Sequence, residues 1–235
     1  ETYLGGVDGD EHIPYAMGMA YWRDDLDSLQ YQTQTWYGLT CVDAWFSWLE
    51  SGEMNAERLN NSYLVFHNGG KFDVAAVLSR LILGVHGWNL QASSLVENNG
   101  RIISFHCVNV LPREDGKPKQ VKLKFRDSFC FLSQSLRALC KSFDLTTVKG
   151  YIPHHRVSGD PILEGRTPTN DSMIHYNDMK EDGWDDGKGT DGLMGSRKYL
   201  ELDVITLLLI MSKYSEDMFE PVSYTHLTLP TNREV

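Results

Sequence analysis

Apolar residues along this chain fall into two rhythms, one helical and one of strands. From Cys41 to Leu49 they recur at helical spacing behind Thr40, which fits an N-cap, and Gly52 marks the stop. Ser62–Phe66 is a short, nearly continuous apolar run of the kind a buried strand shows. Helical spacing returns over Ala75–Val85 and over Leu132–Phe143, where Leu132, Leu136, Leu139 and Cys140 share one side. Between these, Arg101–Val108 and Val121–Phe125 predict strands with Arg113–Lys119 as their hairpin, and the polar stretch Asn89–Gly100 predicts a loop. Nearer the start, Ile13–Tyr21 and Tyr31–Trp36 alternate and predict two strands joined by the acidic turn Arg23–Asp27. A turn over Gly5–Asp10 leaves Glu1–Leu4 as the end of an earlier strand. Residues 149–197 follow neither rhythm; Pro and Gly punctuate them, and they predict a long irregular excursion before a last helix over Ser196–Tyr214. This order of elements predicts an α/β domain with a mixed central sheet and flanking helices.

Composition narrows the picture. A chain of 235 residues suffices for one such domain, and 41% hydrophobic with 23% charged residues excludes a disordered polymer. Twenty-two basic against 32 acidic residues give a net charge of -10, so no basic stripe can grip a long duplex. A nucleic-acid end stays open to such a protein if divalent metals screen a small carboxylate cluster. Cys41, Cys107, Cys130 and Cys140 lie far apart with no Cys-x-x-Cys pair, which argues against a zinc site or a disulfide framework and for reduced, intracellular thiols. The apolar run Val204–Met211 is too short to span a bilayer, and no membrane role is expected. His154-His155 reads as a solvated loop pair, and the Asp/Gly run around Asp185 lacks the spacing of a calcium loop.

Three acidic positions carry the candidate chemistry. Glu1 ends a predicted strand, Asp73 follows a buried strand through a tight Gly-Gly turn, and Asp203 lies on the last helix one turn after Tyr199. Carboxylates delivered this way can converge above a sheet, and hard oxygen ligands suit Mg²⁺ or Mn²⁺ bound with a phosphate. Two such ions polarise a phosphodiester and activate water for in-line attack, and the Tyr199 hydroxyl is placed to orient that water. Taken singly, Asn68-Gly69-Gly70 is a turn with a helix cap, and Tyr199 with Asp203 is a helix surface pair. Their order and context together give the functional reading.

In that order the chain resembles the 3′–5′ exonuclease domain of family B DNA polymerases, in the protein-primed branch of phages, linear plasmids and organelles. Its Asp-x-Glu-Thr motif corresponds to Glu1-Thr2, its Asn-x2–3-Phe/Tyr-Asp motif to Asn68 through Phe72-Asp73, and its Tyr-x3-Asp motif to Tyr199 through Asp203. Asp127-Ser128-Phe129-Cys130-Phe131-Leu132 is similar to the Ser/Thr-Leu-x2-hydrophobic motif, with Phe129 in place of Leu, and Lys149-Gly150-Tyr151-Ile152 to the Lys-x2-hydrophobic motif. The resemblance covers residues 1 to about 215 and implies a ribonuclease-H-like fold. It implies that Glu1, Asp73 and Asp203 ligate two Mg²⁺ or Mn²⁺ ions, that Tyr199 positions the attacking water, and that Lys149 offsets charge at the scissile phosphate. Thr2, Asn68, Phe72, Ser128 and Phe129 would hold a single-stranded DNA 3′ end, with Phe72 and Phe129 packing on bases. A polymerase domain in cis and a terminal protein are the further partners implied.

Two departures qualify the expectation. The family's Asp two residues before the motif's Glu has no counterpart in this sequence, which implies weak metal binding and little cleavage by this polypeptide. Residues 221–235 do not resemble the family's continuation, so the domain is drawn over 1–220, N-terminally truncated, with the irregular segment 150–197 inside it. A stand-alone exonuclease of the same fold and a non-catalytic module that binds single-stranded 3′ ends remain the alternatives.

Overall fold

The computed structural model describes residues 2–5, 11–14, 16–23, 30–38, 40–71, 73–146 and 192–225. Its elements run β1 (Thr2–Gly5), β2 (Glu11–Pro14), β3 (Ala16–Arg23), β4 (Gln30–Tyr37), α1 (Cys41–Glu50), α2 (Ala56–Leu59) and β5 (Tyr63–Phe66). They continue with α3 (Asp73–Leu83), β6 (Asn89–Leu90), β7 (Val96–Asn98), β8 (Arg101–Pro112), β9 (Pro118–Asp127), α4 (Leu136–Ser142) and α5 (Gly192–Thr225).

The main sheet has five strands, in the order β5-β9-β8-β6, with β7 also paired to β8. β8 and β9 are antiparallel from Ser104↔Arg126 to Pro112↔Pro118, whereas β5 runs parallel to β9 from Tyr63↔Lys124 to Phe66↔Asp127. The sheet is therefore mixed, and the fold is α/β as the sequence predicts. β1 pairs with β2 and β3 with β4 as two antiparallel ribbons.

One face of β9 is apolar at every second position: Val121, Leu123 and Phe125 are buried, while Lys122, Lys124 and Arg126 turn outward. The inner face meets α1 through Cys41, Val42, Trp45, Phe46 and Leu49, and α3 through Val74, Val77 and Leu81. Phe105 and Phe125 stack at 4.2 Å across the β8–β9 ladder, and Trp45 meets Phe125 edge-on at 6.4 Å. A smaller core joins Leu136, Leu139 and Cys140 of α4 to Ile210 of α5. α5 also packs on β3, where Gly18 admits it: a Cβ there would stand 2.8 Å from Leu200 Cγ.

Several boundaries differ from the sequence expectation, each for a local reason. The strand expected over Ile13–Tyr21 is two, β2 and β3, each in a different ribbon. The stretch Asn89–Gly100 contributes β6 and β7, short edge pairings to β8 whose polar residues hide the strand pattern. α3 starts at Asp73, ahead of Ala75. α4 starts at Leu136 because Ser135 caps it, its hydroxyl accepting from the N–H of Ala138 at 3.3 Å, so Leu132 packs on this core from outside the helix. Thr40 stands at the N-cap of α1 without a side-chain cap bond. α2, capped by Asn55 on Arg58 N–H, is too short to show a period. α5 extends on both sides of 196–214 and passes residue 220.

Candidate active site

The site is built around the loop that leaves β5. Asn68, Gly69 and Gly70 reverse the chain and lead through a single tight turn into α3. Asn68 takes a left-handed conformation, φ 63°, which Asn tolerates better than most residues. Gly70 is required by space: a Cβ there would lie 2.2 Å from the Ile102 carbonyl oxygen and 2.8 Å from Asp127 Oδ2.

Asp127, the last residue of β9, holds this loop. Its side chain is 1% exposed. Oδ1 accepts from the N–H of Asn68 at 2.9 Å and of Phe129 at 3.0 Å. Oδ2 accepts from the N–H of Gly70 and from Arg101 Nη1, each at 3.0 Å. Four donors around a buried carboxylate repay its desolvation and join the ends of β5 and β9 to the start of β8. Arg101 Nη2 also donates to Asn68 Oδ1 at 2.8 Å, and its guanidinium lies 4.8 Å from the Phe129 ring centre. Ser128 is fully buried; its hydroxyl donates to the Phe66 carbonyl at 2.8 Å and lies 2.9 Å from His67 Nδ1. His67 Nε2 lies 2.8 Å from the Gln134 carbonyl, and its ring meets the edge of Phe129 at 5.5 Å.

The acidic residues lie behind this loop. Asp73, the first residue of α3, and Asp203 of α5 line one cavity of about 170 Å³ together with Pro14, Met17, His67 and Leu136. Asp203 Oδ1 is shielded from solvent. Tyr199 is 3% exposed and sits one helical turn before Asp203, outside the cavity lining. Thr2 pairs with Pro14 in the β1–β2 ribbon, so the start of β1 stands at the cavity's edge. Glu1, Phe72 and Lys149 lie outside the described residues, as does the side chain of Thr2. The structure thus brings Asp73 and Asp203 together, and Asn68, Ser128 and Phe129 together beside them.

Among the described residues no group of three or more His, Cys, Asp or Glu forms a metal cluster. By donor type the two carboxylates fit a hard divalent cation, and the histidine on the same wall is already turned to Ser128 and Gln134. All four cysteines are free of disulfides, and Cys107 is pushed up to about 12 by burial. Cys130, beside the loop, is raised by burial and then by the Asp127 charge, with Arg101 opposing. No helix among the described residues is long and apolar enough to cross a membrane.

Asp127 and Arg101 are the residues that sequence reasoning passed over as functional candidates. The signal available was an Asp closing an apolar strand directly before Ser128, a position from which its side chain can bond Phe129 N–H two residues on.

No curated protein matches the chain. Solved structures of phi29 DNA polymerase are similar at low identity. Its ternary complex with primer-template DNA and incoming nucleotides is 15% identical, with a TM-score of 0.41, covering 92% of this chain and 36% of that one. Its complex with single-stranded DNA is 17% identical, with a TM-score of 0.40, covering 73% of this chain and 32% of that one. The orthorhombic crystal form is 17% identical at a TM-score of 0.37, covering 70% and 29%. The chain therefore spans about a third of the length of those polymerases. The family described as DNA polymerase type B, organellar and viral, matches residues 55–232. That stretch contains Asn68, Asp73, Ser128, Phe129, Tyr199 and Asp203 but not Glu1 or Thr2, and on its strength the chain belongs to the organellar and viral type B DNA polymerase family.

Proposed function

We propose that this chain is the 3′–5′ proofreading exonuclease domain of a protein-primed type B DNA polymerase, with a ribonuclease-H-like arrangement. The observation that supports it is the meeting of Asp73 and Asp203, delivered by α3 and α5, in one cavity beside the loop of Asn68 and Phe129. In this reading Asp73 and Asp203, with Glu1, hold Mg²⁺ or Mn²⁺, which when bound supplies charge neutralisation at the scissile phosphate and an activated water. Asn68 and Phe129, with Thr2, Phe72 and Ser128, hold the frayed end of the strand. Tyr199 orients the water, and Lys149 offsets charge at the phosphate. The polymerase domain in cis, a terminal protein and an intracellular setting belong to the same proposal.

The alternative reading is a module that binds single-stranded 3′ ends without cutting them. A fluorescent oligothymidylate titrated with and without Mn²⁺ separates the two. Binding with Mn²⁺-dependent release of mononucleotide, lost in Asp73→Asn and Asp203→Asn, supports the exonuclease. Binding without product supports the module, and no binding in either condition overturns both.

A further inference from the structure

Arg101 reaches three groups that lie far apart in sequence. Nη1 donates to Asp127, Nη2 donates to Asn68 Oδ1 at 2.8 Å, and the guanidinium covers Phe129 at 4.8 Å. Arginine carries five donors and no acceptor, so the atom of the Asn68 amide that faces it has to be oxygen. The amide is planar. Fixing its oxygen on Arg101 turns the Nδ2 hydrogens away from it, and no described residue accepts them. Phe129 is half-buried with the guanidinium over its ring, which fixes the ring plane.

The fold alone does not ask for this second arm. Asp127 already has three backbone N–H donors, from Asn68, Gly70 and Phe129. Arg101 Nη1 completes the charge balance of that carboxylate, whereas Nη2 does nothing for it and instead dictates which way Asn68 presents its amide.

We propose that Arg101 is a positioning residue for single-stranded DNA: it orients the Asn68 amide as a double donor toward acceptor oxygens of the 3′-terminal nucleotide and sets the Phe129 ring as a platform for a base. The ligand class rests on the exonuclease-domain reading above; the orientation of Asn68 does not.

The test uses the full chain, a fluorescein-labelled oligothymidylate and Ca²⁺ as the divalent ion. Lysine at 101 keeps the charge and can pair with Asp127 but cannot fork to Asn68 as well. Arg101→Lys and Asn68→Ala are each expected to weaken binding about tenfold, the size of one charge-assisted hydrogen bond, with unfolding midpoints near the parent's. The double variant is expected to bind more tightly than the two single losses summed, because the Asn68 route is already gone when Arg101 is changed. Parent-like binding by Arg101→Lys, or losses that add in full, would overturn the proposal. Should the lysine variant not fold, Arg101→Gln carries the same binding expectations, read below an unfolding midpoint that the unpaired Asp127 charge lowers. A parent chain that binds no oligonucleotide would sink the exonuclease reading instead. The orientation is then read without ligand from the Asn68 side-chain amide pair in a ¹⁵N–¹H spectrum: a pair that shifts in Arg101→Lys supports it, and a pair that stays in place overturns it.

Discussion

The loop around Asn68 and the cavity behind it are neighbours, yet their carboxylates are treated in opposite ways. Asp127 is enclosed by three backbone N–H groups and a guanidinium at 2.9 to 3.0 Å. Asp73 and Asp203 instead line a hollow whose other walls include Pro14, Met17, Val65 and Leu136. The contrast separates an acid whose four donors hold the backbone from acids that line a cavity. In a chain with 32 acidic residues, what surrounds each carboxylate says more about its role than its presence does.

Replacing these carboxylates breaks the comparison most directly. Asp127→Ala leaves Arg101 and three N–H groups without their acceptor and is expected to cost about 3–5 kcal/mol in chemical denaturation. Gly70→Ala drives a methyl into the Ile102 carbonyl, which is backbone and cannot yield; a loss of about 2–3 kcal/mol is expected by the same measurement. Gly18→Ala meets Leu200 Cγ at 2.8 Å and Val204 Cγ1 at 3.2 Å and should cost about 1–2 kcal/mol, shifting α5 and with it Asp203. Asp73→Asn and Asp203→Asn should cost less than Asp127→Ala, while removing any Mn²⁺-dependent rise in melting temperature. A loss at Asp203→Asn equal to that at Asp127→Ala would erase the distinction.

Cys130 sharpens the comparison with a smaller effect. Its raised pKa leaves less thiolate at pH 8 than a free thiol has, so iodoacetamide should react with it slowly. Since Asp127 contributes to that rise and Arg101 opposes it, Asp127→Asn is expected to speed alkylation of Cys130, and Asp73→Asn to leave it unchanged. Buried Cys41, Cys107 and Cys140 should stay unmodified in the folded chain.

Sequence pattern conveyed the long amphipathic elements well because their periods are sustained. α1 buries Cys41, Val42, Trp45, Phe46 and Leu49, the residues its helical spacing picks out, and β9 alternates over Val121–Phe125. It missed α2, which is only four residues long, and the edge strands β6 and β7, which carry few apolar residues. The candidate site divides along similar lines. Asp73, Asn68 and Asp203 were legible because short motifs carry them in order. The part played by Arg101 was not, because it depends on Asn68 and Asp127, 33 and 26 residues away, coming together only in the folded sheet.

The parallel pairing of β5 with β9 carries a consequence for the time course of folding. Asn68 and Asp127 are 59 residues apart in the chain, and the antiparallel β8–β9 hairpin lies within that span. Closing the local hairpin costs less chain entropy than bringing β5 alongside, so the hairpin is expected to form first and offer β9 as a template. In pulse-labelled refolding, the amide of Asn68 should then gain protection after those of the β8–β9 ladder, making acquisition of the loop a late event in reaching the native state.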